Sequence, residues 1–378
     1  MRRAATVAGL IFAFASVILL VSPPGALGQT PPRQAVPVKP SAPAKSRAPK
    51  WEVSFRGGLA LGTSGPDASP TLPPAGQTFI MADSITPTRA VSSWFLGDGA
   101  ALLNQVLLLR GAGARLDGLE TNWPMASRRT GPQVGGSIAR HVSGGLWLEF
   151  AADVGLDPLG FDGAARDAIE AARAGYEHAL NALAGSAASV ITGANITATA
   201  DIANGGQRLL TSVVVHYRST APRMRPYLLA GIGFGTALGG DATARLTGTN
   251  RFTTPSQAAI EETDAIAIRY KPANGSFWIL GGGMERDLSR KAAFRVEARL
   301  LLGTLSYTGY LDTAPAVATA TPGGAIVLNG TTPGIQFSSM SGVRPSLSGS
   351  TRTNFEVLTA EKRGMMQWVI SGAYVRRF

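Results

Sequence analysis

The stretch Trp51-Glu-Val-Ser-Phe-Arg-Gly-Gly-Leu-Ala-Leu61 decides the fold. Successive side chains of an extended chain point to opposite sides, so Trp51, Val53, Phe55, Leu59 and Leu61 share one face and Glu52, Ser54, Arg56 and Ala60 the other. The pattern returns in Ala293–Gly303, where Phe294, Val296, Ala298, Leu300 and Leu302 oppose Arg295, Glu297 and Arg299. Working outward, period-two alternation marks six more segments: Gln133–His141, Leu146–Leu156, Leu209–Arg218, Arg225–Phe234, Phe277–Leu288 and Gln367–Phe378. Each has one greasy face and one polar or small-residue face.

Alternation alone does not say which face meets which solvent, because a soluble sandwich alternates too. The connections decide. Three are short turns, at Val142–Gly145, Ser219–Met224 and Ser289–Ala292, and between them lie long stretches over 62–132, 157–208, 235–276 and 304–366. Short turns on one side and long loops on the other are the signature of a transmembrane barrel. The expected fold is therefore all-β, an antiparallel transmembrane β-barrel of eight strands whose long extracellular loops contain short helices. Ala244–Phe252 and Ala265–Tyr270 can also pair, which would raise the count to ten.

Composition agrees. Gly is 46 of 378 residues against a usual ~7%, charged residues are 16%, and 45% of the chain is hydrophobic with only 7% aromatic. The chain has no Cys, which excludes a disulfide scaffold, a thiol nucleophile and thiolate metal centres. Residues 1–28 read as a signal peptide, with Arg2 and Arg3, an apolar run from Ala4 to Val21, Pro23-Pro24, and a small-x-small site at Ala26–Gly28. Residues 29–50 carry six prolines with Arg33, Lys39, Lys45, Arg47 and Lys50 and no acid, and read as a disordered periplasmic tether able to contact the cell wall. Residues 51–378 make the barrel and its surface loops. Losing Arg2 and Arg3 lowers the net charge from +11 to +9, a balance suited to acidic lipid or polyanionic envelope material rather than nucleic acid.

The last strand places Trp368, Ile370, Tyr374 and Phe378 at even offsets. This row resembles the C-terminal signal of bacterial outer-membrane barrels that the barrel assembly machinery reads; Arg376 departs from that pattern, and an arginine near headgroups can snorkel. With the export signal, eight strands and asymmetric connections, the chain resembles the small eight-stranded bacterial outer-membrane proteins, such as the OmpA transmembrane domain, the opacity proteins and the OmpW group. The resemblance covers the strand framework. It implies Sec-type export, residence in the outer membrane, contact with its lipid and with the assembly machinery, a monomer, and no cofactor.

On the inward faces stand Glu52, Arg56, Glu149, Asp153, Glu285, Asp287, Arg295, Glu297 and Arg299, joined by Arg218 if it points inward. An eight-stranded lumen is only wide enough for side chains, so these charges are expected to pair as a plug; a narrow gated path through them is the other reading. Gly231, Gly233 and Gly235, two apart on one strand face, lack the spacing of a dinucleotide loop and are expected to make room for luminal arginines, as are Gly281 and Gly283. His141 and Ser143 have the spacing of an outer-membrane lipid deacylase pair but fall at a short turn; His216 also lies near a short-turn end and His178 in a loop, which leaves few candidates for the His-Asp grouping of an outer-membrane protease. No catalytic, metal or cofactor residues are assigned. Trp51, Trp147, Tyr217, Tyr227, Phe294 and Tyr374 on one side, with Phe234, Trp278 and Tyr307 on the other, suggest two interfacial girdles, although Trp147 has inward parity. Within the loops, helices are expected at 99–110 and 163–184, the second capped by Asp162 with Ile169, Ala172, Tyr176, Leu180 and Leu183 on one stripe, packing on each other or over the barrel mouth as a lid. The function read from this is non-enzymatic, structural or surface-interacting, with an unspecified surface ligand. A narrow channel for small or apolar solutes is the alternative, and an outer-membrane lipid hydrolase or protease stands third.

Overall fold

The computed structural model describes residues 50–62, 70–72, 88–90, 93–109, 111–128, 130–188, 191–220, 224–255, 257–303, 307–314, 325–326, 334–336, 354–359 and 365–378. The signal segment, and the tether apart from Lys50, lie outside these residues. In chain order the elements are β1 (Trp51–Gly62), β2 (Thr88–Ala90), α1 (Asp98–Leu109), β3 (Ala126–Arg128), β4 (Gly131–Ser143), β5 (Leu146–Gly155), β6 (Leu159–Phe161) and α2 (Gly163–Ser186). They continue with β7 (Gly193–Ala203), β8 (Gln207–Arg218), β9 (Met224–Leu238), β10 (Ala242–Thr254), β11 (Gln257–Pro272), β12 (Gly275–Ser289) and β13 (Ala292–Gly303). Last come β14 (Tyr307–Ala314), β15 (Ala325–Ile326), β16 (Gly334–Gln336), β17 (Asn354–Thr359) and β18 (Met365–Arg377).

Eight strands close a barrel in the order β1-β18-β13-β12-β9-β8-β5-β4, every neighbour antiparallel. Closure is made by β1, which pairs with β18 from Glu52↔Arg377 to Gly62↔Gln367 and with β4 from Trp51↔Arg140 to Ala60↔Gly131. The outer face carries exposed Val53, Phe55, Leu59, Ile138, Phe150, Leu228, Ile232, Trp278, Leu280 and Tyr374, while Glu52, Ser54, Arg56 and Ala60 of β1 are buried inside. A closed sheet leaves no unpaired edge, and with an apolar belt outside it satisfies the two demands a bilayer makes on strands. Among the described residues no helix is long and apolar enough to cross a membrane. This is the fold of the small eight-stranded outer-membrane barrels.

The pair Ala244–Phe252 and Ala265–Tyr270 does form, as β10 and β11, with Ala244 opposite Ile268 and Phe252 opposite Ile260. It belongs to a second, five-stranded sheet in the order β17-β14-β11-β10-β7, so the barrel keeps eight strands. One face of this sheet packs on the helices. The described parts of the long connections build an α/β unit with its own apolar core, in which the two helices pack on each other, one of the two expected arrangements, and on the sheet.

All four connections contribute to that core: Trp94, Phe95 and Leu103 from the first, Phe161 and Tyr176 from the second, Phe252 and Ile266 from the third, Leu311 and Phe355 from the fourth. Helix α2 starts where expected, Asp162 Oδ1 accepting from the Ala165 amide at 2.8 Å, and the stripe Ile169, Ala172, Tyr176, Leu180 and Leu183 is buried. It runs past Gly185 to Ser186. Helix α1 ends at Gly111, whose φ of 62° lets its amide bond Leu108 O at 3.0 Å while the Ala112 amide reaches Leu107 O at 3.0 Å, a Schellman closure. Leu103 and Leu107 face the core and Leu108 faces out.

Tyr176 is the hub. Its ring stacks on Phe95 with centroids 4.8 Å apart, its hydroxyl receives the Asn250 amide at 3.1 Å, and Gly248 leaves the room its ring occupies. Asp264, fully buried, ties the first connection to the sheet by accepting from the Trp94 amide at 2.6 Å and from Ser93 Oγ at 3.0 Å. The sheet's β7 edge is closed by α2: Glu177 accepts from the Ala198 amide at 2.8 Å, and Arg173 donates to Ala198 O at 3.4 Å. Blocking an edge in this way withholds a template from foreign strands.

Candidate functional site

The lumen has two halves, set by which residues occupy inward positions along each strand. Toward the short turns it is ionic. Glu52 accepts from Arg218 at 2.6 Å, Arg377 at 3.0 Å and Arg295 at 3.2 Å. Glu285 takes Arg377 at 2.5 Å and Arg295 at 2.9 Å, and Asp287 takes Arg377 at 2.6 Å together with Arg225. Further into the barrel, Glu149 gathers Arg56 and Arg299 at 2.9 Å each and Arg295 at 3.2 Å. Asp153 receives both Nε and Nη2 of Arg56 at 2.6 Å. Glu297 lies 2.7 Å from Arg299 Nε and accepts the Tyr227 hydroxyl at 2.8 Å.

Six carboxylates, Glu52, Glu149, Asp153, Glu285, Asp287 and Glu297, therefore meet six guanidinium groups, Arg56, Arg218, Arg225, Arg295, Arg299 and Arg377. The two sets cancel. Every base is an arginine, whose planar fork bridges two or three carboxylates where an ammonium would present a point charge. Sequence reading found all six acids and Arg56, Arg295 and Arg299, with Arg218 conditional on its direction. It missed Arg225 and Arg377, and so left an acidic excess that the structure removes. Both were legible by parity: Arg377 alternates with the outward Arg376 and Phe378, and Arg225 precedes the inward Tyr227 by two. Asp287 is the least enclosed of the twelve, its side chain 32% exposed at the short-turn rim.

His216 is also inside, fully buried, with Nε2 3.2 Å from Glu149 and its ring 5.4 Å from Tyr227. Trp147 and Tyr227 point into the lumen rather than to an interfacial girdle. Trp147 carries Arg218 over its ring at 4.4 Å, forming part of the lumen floor, and the pairing of β4 with β5 shifts register next to it, between His141 and Ser143. Tyr307 likewise leaves the girdle, being buried in the outer core against Tyr270 at 5.4 Å. Burial raises the hydroxyl pKa of both Tyr270 and Tyr307 above the ordinary tyrosine value.

Toward the long connections the lumen is apolar. Ala60, Leu210, Val214, Leu229, Phe277, Ile279, Leu301 and Val369 pack together, with Tyr227 bridging to the ionic half. Three of the glycines serve these side chains where arginines were expected: Gly231 leaves room for Val214, Gly233 for the Phe277 ring, and Gly283 for Tyr227. Above this layer Arg208 pairs with Asp157 at 3.2 Å and with Gln367, and Arg128 donates to Asp157 O at 2.9 Å, joining the barrel mouth to the outer unit.

The remaining candidates separate. His141 Nε2 meets Gly144 O at 2.9 Å at the short turn, beside the exposed Ser143, and His178 is exposed on α2. Among the described residues no group of three His, Asp or Glu side chains is arranged to hold a metal ion. Trp368, Tyr374 and Phe378 are exposed on the outer face of β18, with Ile370 half-buried in the same row and Arg376 exposed between Tyr374 and Phe378.

No protein-family profile matches the chain. No curated protein matches it. Among solved structures, the outer membrane protein OprG from Pseudomonas aeruginosa is similar over 87% of this chain and 98% of its own, at 11% identity and a TM-score of 0.36.

Proposed function

We propose that this chain is a non-enzymatic, monomeric outer-membrane protein whose closed barrel serves as a rigid base for a folded outer unit that meets ligands at the cell surface. One observation carries the reading: all four long connections feed a single apolar core above a lumen filled by cancelling ion pairs and packed aliphatic side chains. A conducting pore gains nothing from such filling, whereas a platform gains rigidity. Residues 1–28 would direct export through the Sec route, and residues 29–50 would lie in the periplasm within reach of the cell wall. The row Trp368, Ile370, Tyr374 and Phe378 would be what the barrel assembly machinery contacts.

The competing reading is a narrow channel for small or apolar solutes. Purified protein in planar bilayers separates the two. The platform reading expects small conductance steps or none; a large, stable, unselective conductance would overturn it. Protease treatment of intact cells tests the orientation, since cleavage should fall in the long connections.

A further inference from the structure

The short-turn rim carries charge that the lumen does not balance. Lys50, Arg140, Arg286, Arg290, Lys291 and Arg376 are all exposed there. The acidic side chains at the same end, Glu52, Glu285 and Asp287, are turned inward and hold Arg218, Arg225 and Arg377. Three of the exposed cations sit on the outer face of the strands themselves, not in turns. Arg140 pairs across from Trp51, Arg376 from Val53, and Arg286 from Phe294. Each thus lies where the apolar belt gives way to polar surroundings, and the Arg140 guanidinium stands 5.4 Å from the Trp51 ring centroid. These residues belong to the adjoining strands β4, β1, β18, β13 and β12 and their ends.

We infer that this basic rim binds anionic phospholipid headgroups of the leaflet at the short-turn end, the arginines holding phosphate while Trp51 and Phe294 anchor at the interface. The inference rests on the membrane reading above. Lipid is favoured over wall polymer because Arg140, Arg286 and Arg376 flank the exposed apolar belt, where a solvated polymer has no access but a headgroup must lie. Basic residues at an anionic surface strengthen binding by about fivefold each.

The test is native mass spectrometry of the full chain released from micelles containing equal phosphatidylglycerol and phosphatidylcholine. Phosphatidylglycerol should be retained in preference, the preference should shrink in high salt, and R140Q/R286Q/R376Q should largely abolish it while keeping the heat-modifiable barrel band. Equal retention of the two lipids, or an unchanged preference in the variant, would overturn the inference. Pelleting with isolated cell-wall sacculi that the variant loses, without any lipid preference, would overturn it in favour of wall contact. If the variant does not fold, the headgroup and salt dependence of the wild-type chain decides by itself, and absence of either rejects the proposal. Failure to insert into vesicles of either lipid would instead sink the membrane reading; insertion into both without preference sinks this inference alone.

Discussion

The barrel and the outer unit are built from the same alternating strands and turned inside out relative to one another. In β13 the charged Arg295, Glu297 and Arg299 point in and Phe294, Val296 and Leu300 point out. In β10 it is Ala244, Leu246 and Phe252 that point in, and Arg245 and Arg251 that point out. Period two therefore specifies a strand, while the medium on each side decides which face is the core. Hydrocarbon outside forces polarity into the lumen, where it must be paired; water outside the second sheet lets burial of apolar area supply the stability.

That contrast predicts how each region fails. The largest effect is expected at Glu149, which holds three arginines: Glu149→Ala strands them in a closed lumen, at a cost of about 3–5 kcal/mol. The heat-modifiable band should weaken, and the barrel should unfold at lower urea while the α2 segment, until then, stays protease resistant. Tyr176→Ala should do the opposite. Losing the hub opens a cavity worth about 3–5 kcal/mol, so residues 163–186 become cleavable while the barrel still inserts; failure of the barrel to assemble would show that the two regions fold as one.

Smaller changes sharpen the comparison. Asp264→Ala removes the acceptor for the Trp94 amide and Ser93 and leaves a buried donor unmet, about 1–3 kcal/mol, with new cleavage confined to the first connection. Asp162→Ala removes the α2 cap and should cost about 1 kcal/mol, read as a small rise in exchange over the first turn of α2. The smallest is an alkaline effect. Tyr270 and Tyr307 have their pKa raised by burial, so their contribution to stability is intact below the ordinary tyrosine value near ~10 and is lost as pH rises from there toward the raised values. The outer unit should lose stability in that window, and Tyr307→Phe, which removes a buried hydroxyl with no hydrogen-bond partner among the described residues, should weaken the dependence.

Turn lengths and parity made the eight barrel strands legible, because both are local properties. The luminal acids followed from the same parity. Trp147 and Tyr227 were harder, since the pull of an interfacial aromatic pattern competes with parity there, and at Trp147 a register shift between His141 and Ser143 adds to it. The outer core was not legible. Its members come from four connections far apart in sequence, and no period links Phe95 to Tyr176 or Asp264 to Trp94. The available hint was the α2 stripe from Ile169 to Leu183, which is too apolar for a helix lying free in solvent.

Hydrogen exchange of the full chain in lipid nanodiscs tests the central claim most directly. If the long connections form a cored unit on the barrel, amides of β10, β11 and α2 should exchange slowly, with protection that collapses in Tyr176→Ala while the barrel strands remain protected. Rapid exchange throughout 163–186 and 242–272 in the unaltered protein would contradict the account.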